Sequence, residues 1–224
     1  MKDDSHIIFS MSKPTWECNQ FQPLISETTM RVHLGLHAKY VQNLNDMLLK
    51  YPEIAAIPAT DILRNPSAYF SNEEDKLKYV NNMGGHFCHS LFWFCIDPNP
   101  QQKNQEIFFK KIKTTRPQIE KRLKANGLSR FGAGWSWLAL GQGQELQDYS
   151  TQNHFTPFMK LQTPILCVDV WEHAYFLDRF GNRSEWLDII LGQIDWSKVN
   201  FIYDQVSLGK IHPIEKLLTS RIKS

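Results

Sequence analysis

The sequence lacks long apolar runs, paired cysteines and any strong bias of charge, and each absence argues against a class of function. No stretch approaches the ~20 consecutive apolar residues that a spanning helix needs. A hydrophobic fraction of 42% with a mean hydropathy of −0.40 is expected of a soluble globular chain, and 224 residues are enough to bury a site. The opening MKDDSHIIFSMSKPTWECNQ carries Asp3 and Asp4 and no uninterrupted apolar segment. That argues against a secretory signal and makes the cytoplasm the expected compartment. The four cysteines, Cys18, Cys88, Cys95 and Cys167, form no CxxC pair, which suits reduced, mostly buried thiols better than a disulfide framework or a zinc knot. A formal net charge of +2 gives no reason to expect a nucleic-acid partner. So small a total still permits a local funnel of positive potential. Internal repeats and low-complexity tracts are also missing.

What is present is helix first and sheet later. After Ser26, ETTMRVHLGLHAKYVQNLNDMLLKYP carries apolar and aromatic positions at spacings of three and four. This is the pattern of a capped helix with His33, His37 and Tyr40 near one face. A proline-punctuated connection, YPEIAAIPATDILRNP, leads to a second helical pattern from about Asn72 to Phe94, in which NNMGGHFCHSLFWF sets His86 and His89 one turn apart. Gly84 and Gly85 each weaken a helix by about 1 kcal/mol, so they are expected to serve close packing or a local bend. The polar segment IDPNPQQKNQE breaks the periodicity. It marks a boundary between a helical unit over residues 21–97, preceded by an extension over 1–20, and a second unit over 98–224. In the second unit one or two short helices reach Leu128. Then GWSWLALG, LQDYSTQN and TPILCVDV read as three strands of a small antiparallel sheet. SEWLDIILGQI and PIEKLLTSRIK return to helix, so the fold class expected is α+β.

Chemistry is expected where imidazoles and carboxylates sit inside apolar segments, because burying one without a partner is costly. Four such residues stand out: His33 on the first helix, His89 on the second, and Asp169 and His173 around the turn that leaves the last strand. Three neutral imidazoles and one carboxylate suit a first-row redox metal, iron or manganese, since thiolate would favour zinc or copper. Taken singly, a helix histidine is ordinarily a satisfied core or surface residue, and DVWEH also suits an interface ion pair. A hydrolytic zinc enzyme is a further alternative, and it requires a general-base glutamate beside the water.

Four motifs in order, NNMGGHFCHSLFW, RFGAGWSWL, STQNHFTP and DVWEHAY, resemble the iron/manganese superoxide dismutase family over roughly residues 21–205. The resemblance implies an N-terminal long α-helical hairpin followed by a C-terminal α/β domain with a three-stranded antiparallel sheet. It implies one iron or manganese ion per chain, superoxide as substrate and a homodimer. His33, His89, Asp169 and His173 match the metal ligands. Tyr40 resembles the tyrosine of the substrate funnel and Arg183 the funnel arginine; Tyr40 and His37 are candidates for the proton path, and Arg183 and Lys39 for steering an anion inward. Trp93, Trp135, Trp137 and Trp171 match the aromatic shell. Glu172 resembles the acid that crosses a two-fold axis to the partner subunit's His173.

The chain also departs from the family. His33 and Tyr40 are seven residues apart where eight is usual, and His37 stands alone where the family has two adjacent histidines. The missing residue is expected to remove a bulge from the helix. Phe176 stands where many members have a tyrosine that bridges the dimer. His154 takes the place of a glutamine in manganese members, and Gly85 the place from which many iron members supply theirs. His154 is therefore expected to reach toward the metal's solvent and to tilt the preference toward iron, with both metals possible. Because the altered residues lie in the funnel, a metal-binding member with altered or lost turnover stays open as an alternative.

Overall fold

The computed structural model describes residues 6–100 and 105–222. Its first element is strand β1 (His6–Phe9), followed by helix α1 (Glu27–Lys50). The Ser26 hydroxyl caps α1 by accepting from the Thr29 amide at 3.1 Å, and Glu27 lies in the first turn, where the helix dipole favours an acid. The helix is regular along its whole length and turns His33, His37 and Leu44 inward. The proline-punctuated connection contains α2 (Ala59–Arg64), which buries Ile62 and Leu63. Helix α3 (Glu73–Cys95) starts from an Asn72 cap with three acids in its first turn, and it buries every residue from Met83 to Trp93. Gly84 and Gly85 do not break it. They leave room for the His154 backbone and the Tyr40 ring, so close packing is their role.

Beyond the polar segment come α4 (Gln105–Lys111), α5 (Arg116–Ser129), β2 (Gly134–Leu140), β3 (Leu146–Gln152) and β4 (Thr163–Asp169). The three strands form the antiparallel sheet expected from the sequence, and the structure gives their order as β3-β2-β4. Central strand β2 is wholly buried, and Trp135 pairs with Asp169 in register. Helix α3 packs against β4, which brings the second histidine helix to the strand that ends in the acid. Helices α6 (Phe176–Arg179), α7 (Arg183–Gly192) and α8 (Trp196–Ser207) complete this part. Cys88, Cys95 and Cys167 are buried free thiols, and Cys18 is half-buried.

The expected C-terminal helix requires correction. Among the described residues of that segment, only α9 (His212–Glu215) is helical. A turn follows, and then β5 (Thr219–Ile222), which pairs antiparallel with β1 so that Phe9 faces Thr219 and His6 faces Ile222. The helical spacing of PIEKLLTSRIK yields to the open edge that β1 offers, since tertiary pairing overrides weak local propensity. This small sheet is tied to the helices. The Asn45 amide of α1 bonds both the Phe9 amide and the Phe9 carbonyl at 3.0 Å, and the Thr60 amide donates to Glu215 at 2.9 Å. Residues 101–104 of the expected boundary segment and 1–5 of the expected extension lie outside the described residues. Among the described residues no helix is long and apolar enough to cross a membrane.

Candidate metal centre

Four elements converge on one point: α1 brings His33, α3 brings His89, the end of β4 brings Asp169, and the turn after β4 brings His173. One ligand atom from each lies within 4.8 Å of all the others. Asp169 Oδ2 is 3.0 Å from His33 Nε2, 3.3 Å from His173 Nε2 and 3.8 Å from His89 Nε2. His33, His89 and Asp169 are buried, while the His173 side chain keeps 16% exposure. His89 Nδ1 donates to the Gly85 carbonyl at 2.6 Å, which fixes the tautomer and turns Nε2 inward as a lone pair. Asp169 is held at two further atoms. Its Oδ1 accepts from the Trp171 amide and its carbonyl accepts from Trp186 Nε1, both at 2.7 Å.

The charge states match a ligand set. Burial pushes the His33 and His89 imidazoles down, so both are neutral near pH 7. Burial alone would raise Asp169. The facing His173 and His33 outweigh it and hold the carboxyl well below the usual range, as a carboxylate. His89 Nε2 and His173 Nε2 are buried with no hydrogen-bond partner. Such orphaned nitrogens are rare without a reason, and a cation beside the carboxylate supplies one. Three imidazole nitrogens and one carboxylate oxygen suit iron or manganese.

Aromatic rings wall these four residues. Trp93 meets His33 edge-on at 4.6 Å, Trp135 meets His89 at 5.0 Å, and Trp171 stacks on His173 at 5.5 Å and on His154 at 4.6 Å. Trp137, two residues beyond Trp135, stacks on Phe87 and donates to Thr151, so it belongs to the core behind this wall.

Tyr40 reaches the site although it is one residue nearer to His33 than is usual in the family. Seven residues on a regular helix return to within about 20° of the starting face, so no bulge is needed. Its hydroxyl lies 2.8 Å from His154 Nε2. Trp135 Nε1 can only donate, and it sits 3.3 Å from His154 Nδ1, so the other nitrogen, Nε2, carries the proton and donates to Tyr40. Burial pushes His154 down to about 4 and Tyr40 up to about 12, so both are neutral near pH 7.

The other residues singled out by sequence are placed differently. His37 points toward α3. Its ring stacks on His89 at 5.2 Å, and its nitrogens meet His86 and Trp93. Arg183 opens α7 and donates to the Tyr175 hydroxyl and to the carbonyls of Arg130 and Gly132, so it braces the turn before β2. Lys39, Glu172 and Phe176 are exposed. Sequence reasoning missed Trp186, which anchors the Asp169 carbonyl, and His86, whose placement inside an apolar helix face was the available signal.

Comparison with known proteins agrees with this geometry. Residues 8–97 match the alpha-hairpin domain of iron/manganese superoxide dismutases, and residues 100–201 match the C-terminal domain of the same enzymes. The chain is 34% identical over 208 residues to superoxide dismutase [Mn] 2 of Bacillus anthracis, covering 91% of this chain and 99% of that one. It is 31% identical over 206 residues to superoxide dismutase [Mn] of Acinetobacter baylyi, covering 88% of each, and 30% identical over 200 residues to that of Listeria ivanovii, covering 88% and 98%. With both domains matched around a site of three histidines and one aspartate, the chain belongs to the iron/manganese superoxide dismutase family.

Proposed function

We propose that the chain converts two superoxide anions and two protons to dioxygen and hydrogen peroxide at one iron or manganese ion held by His33, His89, Asp169 and His173. The observation that carries this reading is the convergence of four ligand atoms within 4.8 Å, two of them buried nitrogens without a partner. When bound, the ion supplies reversible one-electron chemistry, taking an electron from one superoxide and giving it to the next. The chain supplies confinement and protons. Because His154 donates to the Tyr40 oxygen, the phenol's own proton is free to point elsewhere, and Tyr40 stays protonated near pH 7. That makes Tyr40 the donor for peroxide formation and His154 the residue that orients it. Arg183 and Lys39 add positive charge that attracts an anion, with Arg183 held by its carbonyl partners. His37 acts on the site as packing against His89.

The imidazole at position 154 favours iron. Its single N–H is committed to Tyr40, whereas an amide in the same place carries two donors. Fewer donors around the ion stabilise its trivalent state less, which suits iron, the milder oxidant of the two, better than manganese. A homodimer is the natural assembly, because His173 is the one partly exposed ligand and the neighbouring Glu172 carboxylate is exposed, free to reach the partner subunit's His173. The division into an extension at 1–20, a hairpin domain at 21–97 and an α/β domain at 98–224 belongs to the same reading, as does a cytoplasmic location. Metal analysis of protein purified without added metal tests it. About one iron or manganese ion per chain is expected, and zinc or no metal would overturn it.

A further inference from the structure

We propose that the paired terminal strands position the wall of the metal centre through one directed chain of hydrogen bonds, from Trp93 to His37 to His86 to the Leu218 carbonyl. The inference rests on the reading of His33 and His89 as metal ligands. Its direction is fixed independently at both ends. Trp93 Nε1 can only donate, and it lies 3.1 Å from His37 Nδ1. His37 therefore carries its proton on Nε2, which faces His86 Nδ1 at 2.8 Å. From the other end, the Leu218 carbonyl can only accept, and it lies 2.9 Å from His86 Nε2. His86 therefore carries its proton on Nε2 and accepts at Nδ1, the same assignment reached from Trp93. Burial keeps both imidazoles neutral, as this pattern requires.

The chain joins two parts of the molecule distant in sequence. At one end, Trp93 meets the His33 ring at 4.6 Å and His37 stacks on His89 at 5.2 Å with 20° between planes, so two ligands rest on residues whose orientation the chain sets. At the other end, the Leu218 carbonyl also accepts from the Ser10 amide at 3.2 Å, beside the β1–β5 pair. Asn45 and Glu215 anchor that end to α1 and α2. The Phe9 ring of β1 meets His86 edge-on at 6.3 Å. His86 and His37 are accordingly positioning residues, acting on the ligands through ring contact rather than by touching substrate.

The test compares His86→Gln with His86→Leu in full-length protein loaded with gallium(III), a diamagnetic stand-in for the trivalent ion. Glutamine can still donate to Leu218 and accept from His37, while leucine can do neither. Nitrogen-15 imidazole spectra of the wild type are expected to show His37 and His86 protonated at Nε2 with slowly exchanging ring protons. His86→Gln should keep the His37 signal. His86→Leu should lose it and bind gallium about tenfold more weakly against a chelator, the scale of effect seen when a ligand's supporting contact is removed. Deleting residues 218–224 removes the acceptor of the His86 Nε2 proton, so it should speed exchange of that proton and weaken gallium binding as well. A His37 protonated at Nδ1, an unchanged signal and affinity in His86→Leu, or equal losses in both substitutions would overturn the proposal. None of these readouts depends on superoxide turnover, so their failure would leave the proposed function standing.

Discussion

Gly84 and His154 meet backbone to backbone across the site: a Cβ built on Gly84 would stand 2.1 Å from the His154 carbonyl oxygen. At the next residue, a Cβ on Gly85 would stand 2.9 Å from the Tyr40 ring. Helix α3 thus sets how near both members of the Tyr40–His154 pair come to the cluster of three histidines and Asp169. Gly84→Ala gains up to about 1 kcal/mol of helix propensity. It must also displace a backbone segment, and overpacking costs about 1–3 kcal/mol. A net loss of stability is expected by urea unfolding, larger than for Gly85→Ala, where only a side chain has to move. Equal or increased stability of Gly84→Ala would contradict the packing.

His154→Gln replaces one committed N–H with an amide bearing two. The ratio of iron-supported to manganese-supported activity is expected to fall severalfold. The acid end of the pH profile should change as well, since the imidazole that burial holds at about 4 is gone. Superoxide consumption by each loaded form checks this, and an unchanged ratio and profile would remove His154 from metal choice.

Glu172→Ala tests the dimer. Losing one partner of a buried charged hydrogen bond costs ~2–5 kcal/mol, so the variant should dissociate at higher concentration and release metal more readily than wild type. Sedimentation at micromolar concentration reads the first effect and chelator competition the second. A monomeric wild type would refute the interface.

His86 makes stability depend on pH. Burial pushes it to about 4 from its ordinary 6.5, so between those values the unfolded chain binds a proton that the folded chain refuses. Stability is therefore full above about pH 6.5 and falls with pH down to about 4. The slope is about 1.4 kcal/mol per pH unit and the total ~3 kcal/mol from this residue. Urea unfolding of metal-free wild type between about pH 7 and 4.5 should be steeper in pH than that of His86→Gln by this amount, and parallel curves would show that His86 does not titrate as described.

The sequence made the long helices and the central sheet legible because their signals are local and strong. Ser26 and Asn72 cap α1 and α3, and apolar positions recur along both helices. Trp135 and Trp137 alternate along a strand that is buried throughout. Strands β1 and β5 were not legible. Each is four residues long, they lie at opposite ends of the chain, and neither is specified without the other. The cluster of His33, His89, Asp169 and His173 was legible because DVWEH follows an apolar run and the motifs keep family order. The contacts of His37 with His86 and Trp93 were not legible, since helix spacing fixes the face but not which residue of α3 comes to meet it. His86, three residues before His89, received no role until the Leu218 carbonyl was seen beside it.

The most direct measurement is superoxide consumption by protein loaded separately with iron and with manganese, set beside His89→Ala and Asp169→Ala treated identically. Fast dismutation by at least one loaded wild-type form, iron the better, is expected, while both variants retain little metal and show no activity above the free ion. Wild-type protein that holds a full complement of either metal and consumes superoxide no faster than the variants would contradict it.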